Sequence, residues 1–159
     1  AAAVLGGATI AWTEDNVGKG VGIKVDSKIN ALVFIPEAHL ATAKARKLLP
    51  ESIPHHDAVL NASRAALLVH ALGSRPDLLL DATQDLLHQN YRAEAMPASF
   101  ALLTKLRGAG VAAFISGAGP TILALHTGNE SDVAELIRAA GSKFEAKSLE
   151  ISRTGATIL

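Results

Sequence analysis

Residues 116–121 read Ser-Gly-Ala-Gly-Pro-Thr between two apolar runs. Two glycines and an alanine leave the backbone N–H groups of such a loop open to an anion with no side chain in the way, and phosphate is a natural guest. The same glycines also meet the demands of a plain hairpin turn, so this run by itself leaves both readings open. No Lys follows it, which separates it from the lysine-bearing loop of the P-loop nucleotide hydrolases. Arg46 and Arg92 each follow an apolar helical stretch. A pair of guanidinium groups can clamp a carboxylate or a phosphate through bidentate bonds that Lys cannot match. Taken singly, each also fits a basic residue that complements a helix dipole or solvates a face.

Other polar clusters point to chemistry less clearly. His55, His56 and Asp57 stand together before a helix, and Asp85 with His88 stands at i, i+3 on another. Their spacing matches no zinc pattern and Asp57 is explained as a helix cap, so no metal site is assigned. His70 and His126 lie on apolar elements, as core or rim histidines do. Ser116 precedes Gly117 in a strand-to-strand turn and not in a G-x-S-x-G elbow leading into a helix, which argues against a Ser/His/Asp hydrolase. With 15 Lys plus Arg against 15 Asp plus Glu, no net field gathers nucleic acid or an anionic membrane. An aromatic content of 4% gives base stacking little to work with. The absence of Cys removes disulfides, thiolate zinc sites and cysteine nucleophiles, and suits a cytoplasmic protein.

These groups need elements to hold them. A chain of 159 residues, 49% of them hydrophobic, can bury one good core. The opening AAAVLGGATIAW has no initiating Met and no basic flank and reaches TEDN quickly, so it is read as neither signal peptide nor membrane span. Starting in mid-pattern, the chain reads as a fragment. The apolar stretch from Val111 to His126 is interrupted by SGAGPT, so no unbroken membrane helix is expected there. Strands are predicted at 8–12, 21–25, 31–35, 111–116, 121–126 and near 144–151 from apolar runs and alternation. Helices are predicted from Glu37 to Leu49, from an Asp57 cap to Gly73, from an Asp77 cap through His88, from Pro97 to Gly108, and from a Ser131 cap to Gly141. From Ala31 onward the order is β, helices, β, β, α, β. That is an α+β, ferredoxin-like split βαβ with extra helices in its first crossover.

Read together, IPEAHLATAKARKLLP, IPHHDAVLNASRAALLVHAL, DLLHQNYRAEAMP and ISGAGPTILAL resemble successive blocks of homoserine kinases, a branch of the GHMP small-molecule kinases. ISGAGPT is similar to the third signature of the whole family, whereas Thr42-x-x-x-Arg46 and His88-Gln89-x-x-Arg92 point to the homoserine branch. The resemblance implies a carboxyl-terminal part. Residues 1–30 would end an amino-terminal nucleotide-binding domain, and residues 31–159 would form the second domain. It further implies transfer of the γ-phosphoryl group of ATP, with Mg²⁺, to the side-chain hydroxyl of L-homoserine in threonine biosynthesis, by a homodimer. Carried over by position, Arg46 and Arg92 would hold the substrate carboxylate and Thr42 would stand near the transferred group. Ser116, Gly117, Ala118 and Gly119 would border phosphates and substrate, and Asn61 is a neighbour with no assigned role.

Two departures accompany these matches. Leu86 stands where the family pattern D-R-L-H-Q has Arg, a charge lost from a surface or interface. The P-x-x-x-G-L-G-S-S-A type of nucleotide loop, with its helix-terminal grip on phosphate, occurs nowhere in the chain, so this chain alone is expected to show little or no kinase activity. Rival readings remain. A GHMP kinase for mevalonate, galactose or diphosphocytidyl-methylerythritol would share SGAGPT without needing two carboxylate-clamping arginines. A regulatory module that binds an amino acid, or a structural dimerisation domain, would need no nucleotide loop.

Overall fold

The computed structural model describes residues 2–152 and 154–157. After a single turn of helix, α1 (Ala2–Leu5), the strands β1 (Ala8–Glu14) and β2 (Val17–Ile23) form a two-stranded antiparallel sheet. Asp15 and Asn16, at φ of 51° and 62°, make the two-residue turn between them. Positive φ at both positions gives the turn a twist that matches the strands it joins.

A second sheet is built from β3 (Asn30–Pro36), β4 (Ala112–Ile115), β5 (Ile122–His126) and β6 (Phe144–Leu149), in the order β4-β5-β3-β6 with every neighbour antiparallel. This is the ferredoxin-like strand order, and the α+β expectation holds. The crossover from β3 to β4 carries α2 (Thr42–Lys47), α3 (His55–Ser74), a 3₁₀ turn (Pro76–Leu78), α4 (Leu79–Ala82), a 3₁₀ turn (Ala93–Ala95) and α5 (Pro97–Gly108). Between β5 and β6 runs α6 (Glu130–Ala140).

Helices cover both faces of this sheet. Leu32, Phe34, Ala113, Ile115, Ile122 and Ala124 point to one side, where Leu102, Leu103 and Leu106 of α5 and Val133 and Leu136 of α6 pack on them. Ala31, Ala112 and Leu125 point to the other, against Ala71 and Leu72 of α3 and Leu79 and Ala82 of α4. Strands buried on two sides need apolar residues at every position, which explains why 31–35 and 111–115 are continuous apolar runs with no alternation.

Four helices differ from expectation in their extent or their caps. The one predicted from Glu37 begins only at Thr42, because Ala41 is extended (φ −65°, ψ 131°) and Leu40 is drawn against the core. The one predicted through His88 stops at Ala82. There the Thr83 hydroxyl donates back to the carbonyl of Leu79 at 2.8 Å, and the Asp85 carboxylate accepts the N–H groups of Leu87 and Gln89, each at 2.9 Å. Such local side-chain bonds compete with a continuing helix. Asp85 and His88 therefore share a turn and not a helix face. The caps also move: Pro54 occupies the cap position of α3 with Asp57 in its first turn, and Asn129, not Ser131, caps α6 in a reciprocal box with Asp132.

Candidate functional site

The broken helix is what makes room for a site. Residues 83–92, released from helical geometry, turn beneath α3 and form one wall of a cleft of about 520 Å³. Asn61 of α3 fixes this segment, its Oδ1 accepting the N–H of Leu86 at 3.0 Å. Leu86, where an Arg was expected, is half-buried beneath it. Gln89 is buried and its Oε1 accepts the N–H of Ile115 at 3.3 Å, tying the segment to the end of β4.

Arg92 closes that wall. Only 7% of the residue is exposed, and its guanidinium bridges two other walls, Nε donating to the carbonyl of Ala45 at 3.2 Å and Nη1 to that of Gly117 at 3.1 Å. Carbonyls supply partial charge and no counter-ion, so the cation keeps its capacity for an anion in the cleft. Arg46, one residue beyond the anchored Ala45, lines the same cleft and is exposed, with no hydrogen bond or ion pair among the described residues. Thr42, at the first position of α2, lines it as well.

The glycine loop reaches the cleft through Gly117 and Ala118, while Ser116 and Gly119 stand behind that edge. Ser116 N–H donates to the carbonyl of Thr121 at 2.8 Å and Gly119 N–H to that of Ser116 at 3.0 Å, closing a tight turn in which the Gly119–Pro120 peptide is cis. Among the described residues no acceptor meets the N–H groups of Gly117 or Ala118. Gly117 has φ +60° and Gly119 φ +83°, and a Cβ on Gly119 would stand 2.7 Å from Cε of Met96, so both positions call for glycine. Two consecutive free N–H groups beside two guanidinium groups make a receiver for an oxyanion.

The sequence profile of the GHMP kinases' C-terminal domain matches residues 63–146, more than half of the chain. The chain belongs to the GHMP kinases. Within that family the homoserine kinase of Streptomyces coelicolor is 48% identical over 159 residues, all of this chain and 51% of the relative. That of Corynebacterium diphtheriae is 42% identical, over 96% of this chain and 51% of the relative. In three dimensions the chain is similar to the crystal structure of homoserine kinase from Cytophaga hutchinsonii, with a TM-score of 0.81 at 21% identity, covering 97% of this chain and 51% of that one. This GHMP kinase chain thus spans about half the length of the relatives it matches.

One cleft residue of the GHMP kinase chain was not singled out from sequence. Arg64 lines the cleft, and its Nε donates to Oε1 of Gln84 at 3.1 Å. The signal was present: Asn61, Arg64, Ala65 and Leu68 follow the i, i+3, i+4, i+7 spacing of one helix face, and all four line the cleft. The other arginine near this region, Arg107, serves the fold. Its Nη1 donates to the carbonyl of Ala113 at 2.8 Å and Nη2 to that of Leu80 at 2.7 Å, and burial lowers its pKa from the ordinary guanidinium value while Asp81 pulls it back up.

Proposed function

We propose that the whole protein transfers the γ-phosphoryl group of ATP to the side-chain hydroxyl of L-homoserine, giving O-phospho-L-homoserine, and that this chain contributes the acceptor cleft. The observation that carries the reading is the gathering of Thr42, Arg46, Asn61, Arg92, Gly117 and Ala118 around one cavity, from four separate segments. Arg46 and Arg92 hold the α-carboxylate, a polar handle by which a small substrate is told from its competitors. Gly117 and Ala118 offer their N–H groups to the phosphoryl oxygens, and Thr42 stands beside them. Positioning and charge neutralisation are most of what phosphoryl transfer asks of a protein. The names borne by the similar proteins support homoserine as the acceptor.

The cleft suits an anion and not a magnesium ion. Asp85 is its one carboxylate among the lining residues, and both oxygens already accept N–H groups. We therefore assign the Mg²⁺ ligands and the nucleotide loop to protein outside this chain, with residues 1–30 grouped with that nucleotide-binding part and 31–159 forming the acceptor domain. That division follows the two sheets, since among the described residues β1 and β2 pair only with each other.

The test is acceptor-dependent ADP release by the full-length protein. Turnover with L-homoserine, and a KM for it raised by about ten- to a hundredfold in Arg46→Ala with the KM for ATP unmoved, is the expected result. Turnover with mevalonate or galactose and none with homoserine would sink the proposal. Homoserine-dependent turnover by the isolated 159-residue chain would refute the assignment of the nucleotide machinery elsewhere.

A further inference from the structure

The cleft carries more positive charge than an amino acid returns. Three guanidinium groups line it, those of Arg46, Arg64 and Arg92, against one carboxylate that is already engaged. A zwitterionic amino acid offers a single carboxylate, which Arg46 and Arg92 are enough to hold in the function proposed above. Arg64 remains unexplained by folding: only its Nε is engaged, by Gln84, and among the described residues neither Nη1 nor Nη2 has an acceptor or an acidic partner. Arg107, by contrast, spends both terminal nitrogens on oxygens of the fold.

Arg64 and Arg92 are also anchored on different walls. Arg92 is fixed between the carbonyls of Ala45 and Gly117, at the glycine-loop side. Arg64 extends from α3 and is steered by Gln84, just beyond the end of α4. Two separately anchored cationic sites match a ligand with two anionic groups and not one.

We infer that Arg64 is a specificity residue for a phosphate monoester, meeting from the α3 wall the phosphate that Gly117 and Ala118 receive on the glycine-loop side, in a phosphorylated amino acid whose carboxylate lies on Arg46 and Arg92. The inference rests on the acceptor-cleft reading for the carboxylate end. Its chemistry is bidentate: the two free Nη groups present N–H donors to two phosphate oxygens, and an unphosphorylated amino acid, its one carboxylate already held by Arg46 and Arg92, has no second anion to accept them. The cleft then retains its product more firmly than it holds its substrate.

Calorimetric titration of the 159-residue chain with O-phospho-L-homoserine, L-homoserine and inorganic phosphate, in wild type, Arg64→Gln and Arg64→Lys, decides it. The expected pattern is a loss of about tenfold in affinity for the phosphorylated amino acid in Arg64→Gln, a smaller loss in Arg64→Lys, and homoserine affinity within about twofold throughout. Equal weakening of both amino acids would show that Arg64 only shapes the cleft and would overturn the inference. So would an unchanged affinity for the phosphorylated ligand, an absence of its binding to wild type, or inorganic phosphate binding as tightly as the phosphorylated amino acid. Failure of homoserine alone, with Arg64-dependent binding of the phosphorylated amino acid intact, would count against the acceptor reading and leave the role of Arg64 standing.

Discussion

Removing the Arg92 side chain takes two hydrogen bonds from the fold along with a charge from the cleft. Arg92→Ala is therefore expected to lower stability by about 2–4 kcal/mol, whereas Arg46→Ala, which breaks no bond among the described residues, should stay within about 0.5 kcal/mol. Urea midpoints of the two variants measure the difference, and equal values would mean that Arg92 does not brace the cleft. The glycines divide similarly. Gly117→Ala places a methyl group in open space and meets only the left-handed backbone, about 1–2 kcal/mol, while Gly119→Ala adds the collision with Met96 and should cost more. At this scale the sequence singled out residues that the fold gathers on one cleft, Thr42, Arg46, Asn61, Arg92, Gly117 and Ala118, through the resemblance of their blocks, since turn glycines and helix-end arginines taken singly fit other uses. It did not show that Arg92 also braces the fold, since its partners are backbone carbonyls of Ala45 and Gly117, which carry no mark in a sequence. Arg64 escaped notice because an arginine on a long amphipathic helix looks like solvation until Gln84 is seen beside it.

Elements bounded by local signals were legible, and those bounded by distant partners were not. Pro97 opens α5 and Gly108 ends it, as read from the residues. The end of α4 is held not only by the local bonds of Thr83 and Asp85 but also by Arg107, which reaches the carbonyls of Leu80 and Thr83 from α5. Nothing near residue 83 announces that contact. Arg107→Leu is expected to cost about 2–4 kcal/mol by leaving the carbonyls of Thr83 and Ala113 without a donor and that of Leu80 with only the Thr83 hydroxyl at 3.3 Å, and faster amide exchange across α4 should accompany the loss. At α6 the accounting is simpler. Oδ1 of Asn129 accepts from the N–H groups of Ser131 at 2.9 Å and Asp132 at 3.2 Å, so Asn129→Ala should remove about 1 kcal/mol, read from the thermal midpoint. A Ser131→Ala variant, by the same geometry, should be close to neutral.

For the molecule as a whole, the first hairpin exposes an apolar patch on one face, bordered by the Lys19–Glu14 ion pair. Ile10 and Val21 pair across the strands and Trp12 follows on the same side, with exposures of 40%, 50% and 46%. An apolar surface of this kind favours association, so the isolated chain is expected to self-associate at raised concentration. Because the chain has a single tryptophan, a concentration-dependent blue shift of its emission reports directly on that face. Sedimentation of Trp12→Ser alongside wild type checks it: identical distributions would remove the hairpin from consideration. No helix among the described residues is long and apolar enough to cross a membrane. The strand order was legible from the sequence of elements because short connections and antiparallel pairing leave few alternatives. The double cover of helices was hidden in the unbroken apolar runs, which a buried strand and a buried helix segment share.

The place of β3 in its sheet has a consequence for how the protein comes into being. On one edge Ala31 pairs with Leu125, and on the other with Leu149. A chain emerging from the ribosome amino end first makes its central strand early and both neighbours late. Leu32 and Phe34, wholly buried in the finished protein, must wait through the synthesis of α2, α3, α4 and α5 before their own sheet exists. Pairings so distant along the chain slow folding, and a ribosome stalled before β6 would hold a nascent chain whose innermost strand still has a bare edge.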